Sequence, residues 1–270
     1  MNITFIGGGN MASALIGGLL QQGYSTAQIC VVDINAKVCD KINKEFGVKT
    51  AVEITNKILD CNVILLAVKP QQLLSVTQAL TPFIRTHLVI SIVAGIRTTE
   101  ICRWLGGYTR VVRAMPNTPA LIRAAMTGLF ALPEVNTKEK HDAETILSAV
   151  GSVLWLEREE LLDAVTAVSG SGPAYVFYFI EAMEQAGKEL GLDENQARFL
   201  SHKTFLGAAK LVNQSNENVT TLRAKVTSMN GTTEYAIKTM EDSEINKNFI
   251  RAIQASYERS CEIANEFGKK

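Results

Sequence analysis

Over the first 155 residues, short runs rich in Val, Ile and Leu alternate with longer stretches whose apolar residues recur at helical spacing. The runs at residues 3–6, 29–32, 63–68, 88–92 and 110–113 predict strands. Between the first two, residues 11–22 bring Leu15, Leu19 and Leu20 near one helical face, and Gly23 supplies the stop. Strand, turn, helix and strand alternating in this way predict a parallel sheet with crossover helices.

After about Glu157 the strand pattern fades and long helical segments follow. Residues 173–190 end at Gly191, residues 194–212 run into the polar stretch 213–218, and residues 245–267 close the chain. The boundary falls near Leu161, giving domains of residues 1–160 and 161–270 with no Pro/Gly/Ser-rich linker between them. The expected class is α/β, a nucleotide-binding sheet domain followed by an all-α domain. Its 270 residues suit two hydrophobic cores better than one.

Composition narrows the partners. Lys plus Arg and Asp plus Glu number 27 each, so no overall positive field exists to hold a nucleic-acid backbone. Cys30, Cys39, Cys61, Cys102 and Cys261 lie far apart without CxxC spacing, and no Cys/His set has metal-ligand spacing. They read as reduced core residues, and no metal is expected. Met1 leads straight into a strand, without the basic and apolar segments of a signal peptide. The run 63–68 is far below the ~20 residues that span a bilayer, so a cytoplasmic protein without membrane or nucleic-acid partners is expected.

Gly7-Gly8-Gly9-Asn10-Met11-Ala12 fits G-x-G-x-x-A directly after the first strand and before the first helix. Gly7 permits the tight turn, Gly9 the approach of a pyrophosphate, and Ala12 close helix packing. Phosphates would then meet the free N–H groups and positive dipole end of the helix. This is the fingerprint of a Rossmann-type dinucleotide site. Asp33 ends the second strand at approximately the ~20-residue spacing from which an acid reaches the adenosine ribose. There it would accept from both ribose hydroxyls and repel a 2′-phosphate, which leans toward NADH. Asn35 and Lys37 offer the opposite possibility, so NADPH or NADH is expected.

Five further segments carry a resemblance. Ala67-Val68-Lys69-Pro70, residues 91–95 ending in Ala94-Gly95, and residues 113–119 around Asn117 stand in the first half. Ser169-Gly170-Ser171-Gly172-Pro173-Ala174-Tyr175 and Thr227-Ser228-Met229-Asn230-Gly231-Thr232-Thr233 stand in the second. In this order the chain resembles pyrroline-5-carboxylate reductases over nearly its whole length. The resemblance implies NAD(P)H-dependent reduction of a cyclic imine, 1-pyrroline-5-carboxylate, to L-proline, the last step of proline biosynthesis. It also implies an all-α dimerisation domain, at least a homodimer, and larger homo-oligomers built from the pairs. The helix 173–190 agrees, since Val176, Phe177, Phe179 and Ile180 surround much of it.

Each segment has a physical task as well. Ala67, Val68, Lys69 and Pro70 follow the strand 63–68, and open parallel sheets bind ligands beyond their carboxyl ends. Lys69 would meet a ribose or a substrate carboxylate, presented by the restriction that Pro70 places on it. Ala94 and Gly95 are small enough to admit a nicotinamide, and Asn117 sits in a rigid two-proline loop suited to its carboxamide. The resemblance places Ser171 by the active site, beside a helix that Pro173 starts. It likewise assigns Ser228, Gly231, Thr232 and Thr233 to the substrate, with backbone amides of Gly231 and Thr232 and the Thr233 hydroxyl gripping the carboxylate at a helix start. Lys69 and Thr233 are the candidate catalytic residues. Where the family usually has Pro-Gly-Gly before the threonines, this chain has Met229-Asn230-Gly231, and Asn230 is the residue type that best tolerates positive φ after Gly.

Two rival readings stay open. A β-hydroxyacid dehydrogenase or other imine reductase would share the nucleotide domain and use a second-domain lysine such as Lys203 or Lys210. A nucleotide sensor would bind NAD(P) without turnover. His87, His141 and His202 are scattered and mark no acid–base site.

Overall fold

The computed structural model describes residues 1–56 and 60–268. Two compact units divide the chain: residues 1–171 with those from 256 onward, and residues 172–255.

The first unit is built on eight strands: β1 (Ile3–Ile6), β2 (Ile29–Val32), β3 (Lys49–Ala51), β4 (Val63–Leu66), β5 (Leu88–Ser91), β6 (Val111–Met115), β7 (Ala125–Ala131) and β8 (Gly151–Trp155). They lie in the order β3-β2-β1-β4-β5-β6-β7-β8. Helices α1 (Asn10–Gln21), α2 (Ala36–Phe46), α3 (Pro70–Leu80), α4 (Thr98–Trp104) and α5 (Thr137–Ser148) connect them. Every residue of β1, β4 and β5 is buried, as expected of central strands covered on both faces. Leu65 packs to one side with Leu15, Ile16 and Leu19 of α1, while Ile64 and Leu66 pack to the other with Leu73 of α3 and Ile101 of α4.

All neighbouring strands run parallel except β6 and β7. The parallel sheet expected from the alternation of strands and helices is present, with this one antiparallel pair within it. Residues 116–124, which include the 3-10 turn Thr118–Ile122, join the two strands, whereas a parallel return needs a crossover of about a dozen residues or more. From β8 the chain enters α6 (Leu161–Val165) and a π-helical turn, Thr166–Gly170.

The second unit holds α7 (Gly172–Glu189), α8 (Glu194–Gln214), α9 (Val219–Lys225), α10 (Thr232–Asp242) and the first part of α11 (Ile245–Gly268). Its helix starts are written locally. Asp193 accepts from the Gln196 amide to cap α8, and Asn218 accepts from the Thr221 amide to cap α9. Gly187 lets α7 and α8 approach, since an added Cβ would lie 3.1 Å from that of Ala197. Tyr175 and Phe179 of α7 meet Phe249 of α11 edge-on. A cavity of about 590 Å³, lined by Phe179, Met183, Phe205, Ile237 and Met240 among others, remains between these helices.

Candidate active site

The chain leaves β1 for β2 on one side and reaches β4 on the other, so the carboxyl end of β1 is a topological switch point. Gly7 makes the turn with φ +100°, and a Cβ there would lie 2.5 Å from the Ala67 carbonyl oxygen. Gly8 is also closely packed, its Cβ position being 2.6 Å from the methyls of Ile42 and Val38. Gly9 differs: nothing stands within 4 Å of where its Cβ would be. Behind it α1 begins with no side-chain cap and no acid in its first turn, while Ala12 is fully buried. The early amides of Asn10, Met11 and Ala12 therefore form an anion cradle with open space before it.

Beside this cradle lies a cavity of about 880 Å³ lined by Gly7, Asp33, Val68, Lys69 and Gln72 among others. Asp33 is anchored by backbone: Oδ2 accepts from the Gly8 amide and Oδ1 from the Asn35 amide, both at 2.9 Å. Asn35 in turn caps α2 through the Lys37 amide. Lys69 is exposed and occupies the N-cap position of α3, with Pro70 starting the helix. Gly7, the Asp33 carboxylate and Lys69 thus line one cleft beside the open start of α1.

The carboxyl ends of β5 and β6 extend the line of this cleft. Ala94 is exposed, and Gly95 is buried at φ +74°. Asn117 is spent within the protein. Its Nδ2 donates to the Ser169 carbonyl and hydroxyl at 3.1 Å, and its Oδ1 accepts from the Met126 amide at 3.0 Å. Ser171 follows, its hydroxyl 3.1 Å from that of Ser256.

In the second unit Asn230 adopts φ +57°, the left-handed conformation that the family's glycine would take without strain. Its amide donates to Glu234 Oε2 at 2.6 Å. Gly231 then leads into α10, and a Cβ on it would meet the Ser228 hydroxyl at 2.5 Å. The Gly231 amide donates to the Ser228 carbonyl at 3.0 Å, which leaves the amides of Thr232 and Thr233 at the uncapped helix start.

Sequence reasoning missed a buried polar layer in the first unit. Asp163, Glu159, Arg113 and Thr98 are all under 9% exposed. Their partners lie 46 to 97 residues away, so no local spacing announces them. Burial, then the negative Glu134 and Glu159, push the Cys102 thiol up to about 11, which keeps it protonated and without nucleophilic character. Among the described residues no group of three or more His, Cys, Asp or Glu is placed to hold a metal. Among the same residues no helix is long and apolar enough to cross a membrane.

Comparison with known proteins decides the family. A pyrroline-5-carboxylate reductase of Pseudomonas aeruginosa is 44% identical over 268 residues, 99% of this chain and 98% of that protein. The chain belongs to the pyrroline-5-carboxylate reductase family. Residues 159–263 match the family model described as pyrroline-5-carboxylate reductase dimerisation, and residues 2–95 match that of NADP oxidoreductase, coenzyme F420-dependent. The structure of a pyrroline-5-carboxylate reductase from Coxiella burnetii superposes with a TM-score of 0.92 at 42% identity, covering 97% of this chain and 98% of that one. A Plasmodium falciparum pyrroline carboxylate reductase with NADP bound gives 0.86 at 26% identity over 98% of each. The fold of a reductase of this family, a dinucleotide domain followed by dimerisation helices, is thereby established for the chain.

Proposed function

We propose that the protein reduces 1-pyrroline-5-carboxylate to L-proline with NADPH or NADH. One observation carries the reading: a chain matching reductases of that name end to end presents two uncapped helix starts, α1 and α10, each suited to an anion. The first takes the cofactor pyrophosphate at Gly7, Gly8, Gly9, Asn10, Met11 and Ala12. The second takes the substrate carboxylate at Thr232 and Thr233, with Ser228 and Gly231 shaping its surroundings; Ser171 is a further residue assigned to the substrate. Asp33 and Ala67–Pro70 flank the adenosine ribose. Lys69 lines the same cavity as Asp33, which favours a cofactor contact over a substrate contact. Ala94 and Gly95 form the floor under the nicotinamide, and Asn117 fixes the loop beside it. In this division residues 1–160 hold the cofactor, and residues 161–270, of which 161–171 and those from 256 onward fold with the first unit, hold the substrate and pair two copies in a cytoplasmic homodimer.

The reduced cofactor supplies the hydride to the imine carbon; the protein aligns the two carbons and excludes water. A ring imine is basic enough to arrive protonated, so no side chain is required as a strong acid. Lys203 and Lys210, which a hydroxyacid dehydrogenase would use, are exposed on α8, with Lys203 over the Phe199 ring. Mixing purified protein with pyrroline-5-carboxylate and each reduced cofactor while following nicotinamide absorbance tests the reading. Loss of absorbance with formation of proline is expected, and no turnover with either cofactor overturns it.

A further inference from the structure

Three separate stretches of the first unit meet at one carboxylate. Asp163 of α6 is fully buried; its Oδ2 accepts from Arg97 Nη2 at 2.6 Å and its Oδ1 from the Ser260 hydroxyl at 2.8 Å. Arg97 ends the turn after β5, which contains Ala94 and Gly95. Ser260 lies on the C-terminal part of α11. One turn further along, on the same helix face, Ile263 rests on Gly95 so closely that a Cβ added to that glycine would lie 2.4 Å from Ile263 Cγ2.

Glu159 repeats the arrangement one step away. Its Oε1 accepts from the Thr98 amide at 2.8 Å and from Arg113 Nη1 at 2.9 Å, and its Oε2 accepts from the Thr98 hydroxyl at 2.6 Å. Two buried carboxylates thus fix consecutive residues, Arg97 and Thr98, at the end of the same turn. Stability alone is a poor reason for this. Burying an ion pair costs desolvation that its attraction roughly returns, and an apolar replacement commonly does as well. What the arrangement does supply is position. Hydrogen bonds with fixed directions hold the turn from below and α11 from behind, and packing alone would let both slide.

We propose that Asp163 is a positioning residue for hydride transfer: by joining Arg97 to Ser260 it clamps α11 against Gly95 and sets the height of the nicotinamide floor. Asp163 acts through the turn and needs no contact with cofactor or substrate. This rests on the reading of Ala94–Gly95 as the nicotinamide floor. A misplacement of about 1 Å at the reacting atoms can cost ~100-fold in rate, so a floor released by this clamp would slow chemistry more than it weakens cofactor binding, most of which comes from the glycine cradle and ribose side.

The test compares wild type with Asp163→Asn, Ser260→Ala, Ser260→Thr and Ile263→Ala. Bound NADPH is titrated by its nicotinamide fluorescence, and turnover is measured with NADPH and with its C4-deuterated form. Loosening the floor in Asp163→Asn, Ser260→Ala and Ile263→Ala is expected to change the emission of bound NADPH. It should also lower kcat by about tenfold, raise the deuterium isotope effect, and change the cofactor dissociation constant by less than about threefold. Ser260→Thr keeps the hydroxyl and retains wild-type values. If Asp163→Asn fails to fold, Ser260→Ala and Ile263→Ala carry the test, since neither leaves a buried charge unpaired. Folded variants with unchanged emission and unchanged isotope effect overturn the proposal, as does a loss of activity fully explained by the unfolded fraction. Should wild type show no turnover of the imine, the proposed function fails, and the emission comparison still decides the clamp.

Discussion

Helices α1 and α7 are both apolar, and they meet opposite fates. Of the twelve residues of α1, five are buried against the sheet, while none of the eighteen residues of α7 is buried. Phe177 and Tyr178 of α7 remain 58% and 70% exposed, and Leu206, Leu211 and Met240 stand open in the same unit. The first unit completes its core within one chain because the sheet gives each helix a face to cover. The second has only helices, and helices apolar on several sides need more neighbours than these five provide. A second copy of the same helices is the natural cover, in keeping with the dimerisation model that matches residues 159–263.

The largest expected effects fall on this contrast. Leu65→Ala removes a fully buried side chain from the centre of the sheet and should cost ~2–5 kcal/mol, independent of protein concentration. Phe177→Ala should act through association instead. Its melting temperature should depend on protein concentration, and light scattering should show a shift from dimer toward monomer. Wild type that scatters as a monomer at micromolar concentration, with its helices intact, breaks the comparison.

A smaller effect separates the two helix starts. A hydrogen bond to a charged group contributes ~1.5–3 kcal/mol, so Thr233→Ala should lower kcat/KM for the imine roughly ten- to a hundredfold. Cofactor affinity should stay near wild type, because the nucleotide cradle belongs to the other unit. Thr233→Ser should keep most activity. A Thr233→Ala enzyme that loses thermal stability yet keeps normal kinetics leaves Thr233 a helix-start residue and removes the carboxylate site assigned to it.

Local patterns carried into the fold; distant pairings did not. The glycine turn, the strands at residues 3–6 and 29–32 and the long helices were legible because each rests on residues a few positions apart. Strand β7, with Gly128 and two alanines among its seven residues, has little β-branched character and carries no strand signal in the sequence. The three-residue β3 is too short to show a period. Asn230 was legible as a residue tolerant of positive φ, but Glu234 closing on its amide was not. Asp163 and Glu159 look like surface acids in a charged stretch, and only the sheet and α11 reveal that they are buried. Asn117, read as a cofactor ligand, has both ends of its amide engaged inside the protein, a fact that depends on Ser169 more than fifty residues away.

Asp33 gives the finest test, because under the proposed function its carboxylate has two duties. It lines the cavity proposed for the adenosine, with Lys69, and it ties the glycine turn to the start of α2 through the Gly8 and Asn35 amides. With both oxygens already accepting, each keeps a free lone pair for a ribose hydroxyl, and the charge still opposes a 2′-phosphate. Asp33→Ser removes that charge and shortens the reach to both amides. The ratio of kcat/KM for NADPH over NADH should therefore rise, chiefly through a lower KM for NADPH. Stability should fall by ~1 kcal/mol as hydrogen bonds to the turn are lost. Asp33→Asn divides the two duties: it keeps an acceptor for one amide and the side-chain length, so it should shift cofactor preference with a smaller loss in melting temperature. An unchanged cofactor ratio in both variants, with stability reduced, would assign Asp33 to the turn alone and move the choice between the two cofactors to Lys69 and its neighbours across the cavity.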